Sequence, residues 1–86
     1  MSQNLDEILE AYPDYPFLIA DGFDEAVIGV EENSMRLVYS SQKCIDILVK
    51  DHWMEYEDAS DYFYYNVSGS YVGEQTPIFI DDNFGL

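Results

Sequence analysis

All three basic residues of this chain, Arg36, Lys43 and Lys50, fall between positions 36 and 50. Residues 1–35 hold nine acidic and no basic residues, residues 51–86 hold eight acidic and none, and Asp46 alone lies between. A fold made from this chain must cohere against its own charge: a net −15 raises the free energy of the compact state, and salt screens that cost. The margin is thin, because a domain of 86 residues buries only about 60–65% of the surface its unfolded chain exposes. Aromatic residues, 16% of the chain, work in the opposite direction, since each ring can bury roughly 150–250 Å². That aromatic content also separates the chain from disordered acidic tails, and its length fits one domain spanning residues 1–86.

The charge excludes several classes of function. A phosphate backbone is gripped by clustered Lys and Arg, so a direct nucleic-acid binder is not expected. An anionic membrane surface is disfavoured for the same reason. A single cysteine, Cys44, allows no intrachain disulfide and suits a reducing cytoplasm. The first residues lack the basic and apolar regions of a signal peptide, and no apolar run reaches the length of a membrane span. Asn66-Val67-Ser68 fits the glycosylation pattern, which has no meaning in a cytoplasmic protein.

Along the chain, Asn4 reads as a helix cap before Leu5, Ile8 and Leu9 at helical spacing, and Pro13 and Pro16 end that helix. Phe17-Leu18-Ile19-Ala20 reads as a strand or packed loop, followed by a turn at Asp21-Gly22. Residues 25–39 read as a β-hairpin, with Gly29 at a bulge, residues 31–34 as the turn and residues 35–39 as the return strand. Ser40 or Ser41 caps the next helix, whose apolar stripe is Cys44, Ile45, Ile47, Leu48 and His52. A further helical stretch covers residues 55–66, with Ala59, Tyr62, Phe63 and Asn66 on one face and Ser68-Gly69 at its end. Tyr71, Val72 and residues 76–80 read as extended chain around a kink at Gly73, and Phe84-Gly85-Leu86 as a loose or tucked end. The expected fold is α+β: a short antiparallel sheet, made of the hairpin and a C-terminal strand, packed against two or three helices.

The carboxylates admit two readings. One is a solvated face that keeps the domain soluble. The other is imitation of nucleic-acid phosphates, which recur about every 3.4 Å along each strand. Asp51, Glu55, Asp58 and Asp61 stand at three- or four-residue steps, and would line one helical face if a helix ran unbroken through Trp53. Like charges at that spacing weaken a helix, so their presence calls for a reason. Trp53, Tyr56, Tyr64 and Tyr65 lie beside these acidic residues and Glu57, as aromatic anchors do in a protein-binding face. Tyr62, Tyr64 and Tyr65 also read as packing residues.

Other chemistry finds less support. Cys44 and His52, eight residues apart, are about 12 Å from each other on one helix, too far for a nucleophile and its base. Asp81, Asn83 and Gly85 resemble the start of a calcium loop, but the chain stops at Leu86, short of a closing Glu. Asp21, Asp24 and Glu25 could share a divalent ion as the basis of a metal-dependent enzyme, the least supported reading; Asp21-Gly22 is more simply a turn. One Cys and one His do not make a zinc site. Residues 73–77, Gly-Glu-Gln-Thr-Pro, are explained by turn chemistry, with a polar contact loop around Glu74 as the functional alternative.

Several strings are distinctive: residues 21–29, Asp-Gly-Phe-Asp-Glu-Ala-Val-Ile-Gly; Val38-Tyr39; residues 43–48, Lys-Cys-Ile-Asp-Ile-Leu; residues 62–69, Tyr-Phe-Tyr-Tyr-Asn-Val-Ser-Gly; and residues 71–79, Tyr-Val-Gly-Glu-Gln-Thr-Pro-Ile-Phe. Through them the chain resembles a group of small acidic proteins encoded by tailed bacteriophages, over most of its length from Asp21 to Phe79. The group places a Ser or Thr cap before the later helical stretch, where this chain has Glu55. The resemblance carries no activity. It implies action in the cytoplasm of an infected bacterial cell, and interference with the host or its defences.

The expectation is thus a non-catalytic protein with no cofactor and no metal. It would bind and inhibit a basic host protein (a nuclease, polymerase, nucleoid protein or CRISPR effector) by presenting a DNA-mimicking surface. The contact residues would be Asp51, Trp53, Glu55, Tyr56, Glu57, Asp58, Asp61, Tyr64 and Glu74. The alternative is an accessory or structural interaction domain, a homodimer or a partner of phage replication proteins, whose charge only keeps it in solution.

Overall fold

A computed structural model describes residues 3–69 and 73–82. Helix α1 (Gln3–Ala11) leads through a loop and a 3₁₀ turn (Asp24–Ala26) into strands β1 (Val27–Glu31) and β2 (Arg36–Ser40). Helices α2 (Ser41–Asp51) and α3 (Tyr56–Tyr62) follow; α3 continues as a π-helical turn (Phe63–Val67), and the chain returns as β3 (Ile78–Ile80). The strand order is β1-β2-β3. This is the expected α+β fold of three helices and a three-stranded sheet, but the sheet is mixed. β1 and β2 are antiparallel, whereas β3 runs parallel to β2, with Val38 opposite Ile78 and Ser40 opposite Ile80. The parallel pairing follows from connectivity: α2, α3 and the π turn form the long crossover that a parallel neighbour requires.

The hairpin forms where the β-branched residues predict it. Between Val27 and Gly29 the register slips, leaving one extra residue, Ile28, on β1, which places the bulge beside Gly29. The turn is closed by Glu31, whose carboxylate accepts from the Asn33 N–H (2.9 Å), the Ser34 N–H (2.8 Å) and the Ser34 hydroxyl (2.6 Å). Those bonds, the Ser34 hydroxyl first, hold the Glu31 carboxyl below its ordinary pKa, with Arg36 opposite adding to the effect. Met35 belongs to the turn rather than to the strand, at a φ of 54°.

The core is Leu5, Ala26, Val27, Leu37, Tyr39, Cys44, Ile45, Leu48, Ala59 and Phe63. α1 packs on β1, and α2 packs on β2 and α3. Phe79 on β3 joins the layers, its ring 5.3 Å from Tyr39 and edge-on to Phe63 at 5.4 Å. Ser40 is the N-cap of α2: its hydroxyl oxygen accepts from the Lys43 N–H at 3.1 Å and its O–H donates to Asp82 Oδ1 at 2.7 Å. Within the predicted α2 stripe Cys44, Ile45 and Leu48 are buried, while His52 is exposed at the C-cap.

Two local expectations are corrected and two open readings are decided. Asn4 lies inside α1, and its amide donates to the Val27 carbonyl (3.1 Å), tying helix to sheet instead of capping the helix. Of the two readings of residues 17–20 the loop holds, pinned where the Ala20 N–H donates to the Tyr39 hydroxyl at 2.8 Å. Of the face expected on the later helix, Ala59 and Phe63 are buried but Tyr62, at the end of α3, and Asn66, in the π turn, are exposed. No helix runs unbroken through Trp53: α2 stops at Asp51 and α3 begins at Tyr56. Tyr71, Val72 and Phe84-Gly85-Leu86 lie outside the described residues, as do Asn83 and Gly85 of the calcium-like string.

Candidate functional site: the acidic corner between α2 and α3

The break between the two helices builds the site. His52 closes α2 by donating its N–H to the Leu48 carbonyl (3.2 Å), and Trp53 then takes a φ of 58°. That left-handed residue after the C-cap is the place glycine usually fills, because a Cβ there is sterically penalised. Here the residue is a tryptophan, and it is 93% exposed. The ring contributes almost nothing to the core, and the backbone beneath it is held in a costly conformation. A bulky side chain at positive φ with no packing return is the kind of local cost that persists where a contact surface needs it.

Carboxylates surround it. Asp51 ends α2, Glu55 is the residue before α3, and Glu57 and Asp58 stand in the first turn of α3; all four are exposed. Acidic residues at a helix start suit the peptide dipoles, which lessens their mutual repulsion. Glu55 occupies the N-cap position of α3 and makes no side-chain cap bond. Tyr56, half-exposed, is fixed by its hydroxyl, which donates to Gln42 Oε1 on α2 at 3.2 Å. The chain reversal thus gathers Asp51, Trp53, Glu55, Tyr56, Glu57 and Asp58 at one corner. It does not produce the straight row of Asp51, Glu55, Asp58 and Asp61, which falls on two helices separated by the left-handed Trp53.

The remaining expected residues are exposed but placed differently. Asp61 lies near the end of α3, and Tyr64 lies in the π turn with its ring edge-on to Phe63 at 5.0 Å. Glu74 stands in the 73–76 turn, where Thr76 donates its hydroxyl (2.6 Å) and N–H (3.2 Å) to the Gly73 carbonyl. Gly73 has a φ of 118°, as the turn reading requires. Arg36 Nε donates to the Thr76 carbonyl at 2.6 Å and the Tyr15 hydroxyl to Gln75 Oε1 at 3.0 Å, so this turn is anchored from two sides. One of the three cations is thereby committed to the fold, which leaves the basic zone with exposed Lys43 and Lys50.

The turn expected at Asp21-Gly22 is present, but sequence reasoning did not assign it, Phe23, Met54 or Val67 to the site, and these border the corner from the other side. Cys44 is buried, and burial pushes its thiol up to about 12, so it forms no dyad with the exposed His52. Among the described residues no group of three or more His, Cys, Asp or Glu is placed to hold a metal ion, Asp21, Asp24 and Glu25 included. No helix among them is long and apolar enough to cross a membrane. Comparison with family models, with curated proteins and with solved structures returns no match.

Proposed function

We propose that the chain is a non-catalytic binding protein whose acidic corner docks on a basic, nucleic-acid-binding protein and occupies the surface that would otherwise hold phosphates. One observation carries the reading: an almost fully exposed Trp53, held at positive φ among Asp51, Glu55, Glu57 and Asp58. The net charge of −15 supplies long-range attraction and a fast encounter, strongest at low salt. Trp53 and Tyr56 then give the buried anchors that typically dominate affinity, with carboxylates meeting Lys or Arg around them. Imitation of nucleic acid rests here on the summed field and a compact corner, since the straight helical row is interrupted. The resemblance to small phage proteins supports a target inside an infected bacterium: a nuclease, polymerase, nucleoid protein or CRISPR effector.

The exposed Tyr64 and Tyr65, the latter 83% accessible, favour a second reading in which an aromatic face pairs with another copy or a phage replication protein. Like charges on each copy oppose self-association. Capture from bacterial lysate on the immobilised chain separates the two. The proposal expects cationic nucleic-acid-binding proteins, released by rising NaCl, excluded by added duplex DNA and lost with Trp53→Ala. Recovery of only neutral or acidic proteins, or capture indifferent to salt, overturns it; a tight dimer by light scattering supports the second reading.

A further inference from the structure

Two concavities lie side by side behind the corner. One, of about 450 Å³, is walled by Gly22, Phe23, Leu48, Met54 and Tyr62, with His52 at its edge. The other, of about 330 Å³, lies between Leu18, Ile19 and the β3 side at Pro77 and Phe79. Asp21, Phe23 and Val67 line both, so the two form the lobes of one groove. Each falls within the roughly 300–1,000 Å³ of ordinary ligand sites. The lining is mainly apolar, and Leu18, Ile19 and Tyr62 remain substantially exposed. His52 and Met54, in the larger lobe, are the chain neighbours of Trp53 on either side.

Charge limits what can sit there. Asp21 is the sole Asp, Glu, Lys or Arg among the described lining of either lobe. The positions directly adjacent in the chain to lining residues add Asp24, Asp51, Glu55 and Asp61, and no Lys or Arg. A second copy of a chain with net charge −15 is the wrong partner for such a rim, and so is any acidic segment. The complementary occupant has an apolar side chain for the groove and cations on either side of it.

The local conformations that shape the groove point the same way. The Asp21–Gly22 turn needs Gly22 at a φ of 90°. The wall carrying Val67 is the π turn, closed by the Ser68 N–H donating to the Phe63 carbonyl at 2.8 Å. Such π turns are rare and concentrate at functional positions.

We infer that this groove seats an aromatic or aliphatic side chain of a basic segment of the partner protein, with flanking Lys or Arg meeting Asp21, Asp51 and Glu55. The inference rests on the acidic-corner reading and adds the chemistry of the segment recognised. It also makes Trp53, one of the two anchors, a lip of a two-part site.

The test is an amide-resonance titration of the isotopically labelled full chain with two synthetic peptides of equal positive charge, one with a central Phe and one with Ala there. The Phe peptide should bind roughly ten- to a hundredfold tighter, with shifts centred on Gly22, Phe23, His52 and Val67. Asp21→Lys should weaken it several-fold more than Asp14→Lys, an equal charge change at an exposed position outside the groove. Equal binding of both peptides, with shifts spread over the carboxylate-bearing segments, overturns the groove and leaves the acidic corner standing. Binding of neither peptide, or binding unaffected by salt, removes both. A concentration-dependent dimer whose contacts shift the groove resonances also overturns the inference.

Discussion

Replacing Trp53 with Gly and, separately, with Ala isolates the cost of the left-handed backbone from the loss of the indole. Both variants delete the same side chain, and its 93% exposure means that little buried area is lost in either. They differ in the Cβ. At a φ of 58° that atom costs roughly 1–2 kcal/mol in Ala and nothing in Gly. Against this, Gly gives the unfolded chain more freedom, a penalty of about 0.5–1 kcal/mol. The balance makes Trp53→Gly the more stable variant by about 0.5–1 kcal/mol, the reverse of the usual order. For a domain of this size that is a difference of about 2–8 °C in melting temperature. Urea and thermal unfolding of both variants at one salt concentration give the number. An Ala variant as stable as the Gly variant, or more so, would show that position 53 is not held at positive φ, and the physical argument for a functional Trp53 would fail with it. Both variants should lose partner binding, so that stability and binding move apart.

Three further outcomes follow from the packing and the charge. Tyr39→Phe removes the hydroxyl that accepts from the Ala20 N–H (2.8 Å) and should cost about 1–3 kcal/mol in urea melts while speeding amide exchange at Ala20; a change under about 0.5 kcal/mol refutes that bond's role. Burial raises Tyr39 from 10.0 to about 12 and Cys44 from 9.0 to about 12. A raised folded-state pKa means stability that is complete below the unfolded pKa and lost as pH climbs towards the folded one. Melts should therefore weaken from about pH 9 for Cys44 and from about pH 10 for Tyr39, each by about 1.4 kcal/mol per pH unit, and Cys44→Ala should remove the earlier phase; a flat profile to pH 11 contradicts this. Raising NaCl should stabilise the domain by screening its net −15, and melts identical at low and moderate ionic strength would contradict that self-repulsion.

The elements that sequence reasoning reaches are those whose signals are local. The hairpin follows from β-branched residues around a polar turn, the α2 start from the Ser40 hydroxyl, and the bulge from Gly29. The direction of β3 has no local signal, because it depends on how far the α2–α3 crossover carries the chain. The break after α2 was legible from the apolar stripe ending at His52, but its left-handed geometry was not. Residues 52–55, His-Trp-Met-Glu, contain no Gly or Pro, and the left-handed place that glycine would mark is taken by Trp53. The residue that takes this left-handed place is also the one whose indole is exposed, so the geometry that the sequence leaves unmarked bears most directly on binding. Similarly, the nine expected contact residues are all exposed, but spacing along the chain could not reveal that Asp51 and Asp58 stand on two helices separated by the left-handed Trp53 instead of along one row. The groove was beyond reach, since its walls come from segments as distant as Leu18, Leu48, Val67 and Phe79.

The deciding experiment is the affinity of the captured basic partner for the wild-type chain and for Trp53→Ala, followed across a series of NaCl concentrations. The wild type should bind tightly at low salt and weaken steadily as salt rises, with the variant roughly tenfold or more weaker throughout. Affinities that coincide for the two proteins, or that stay level as NaCl increases, would mean that neither the indole nor the carboxylates around it make the contact.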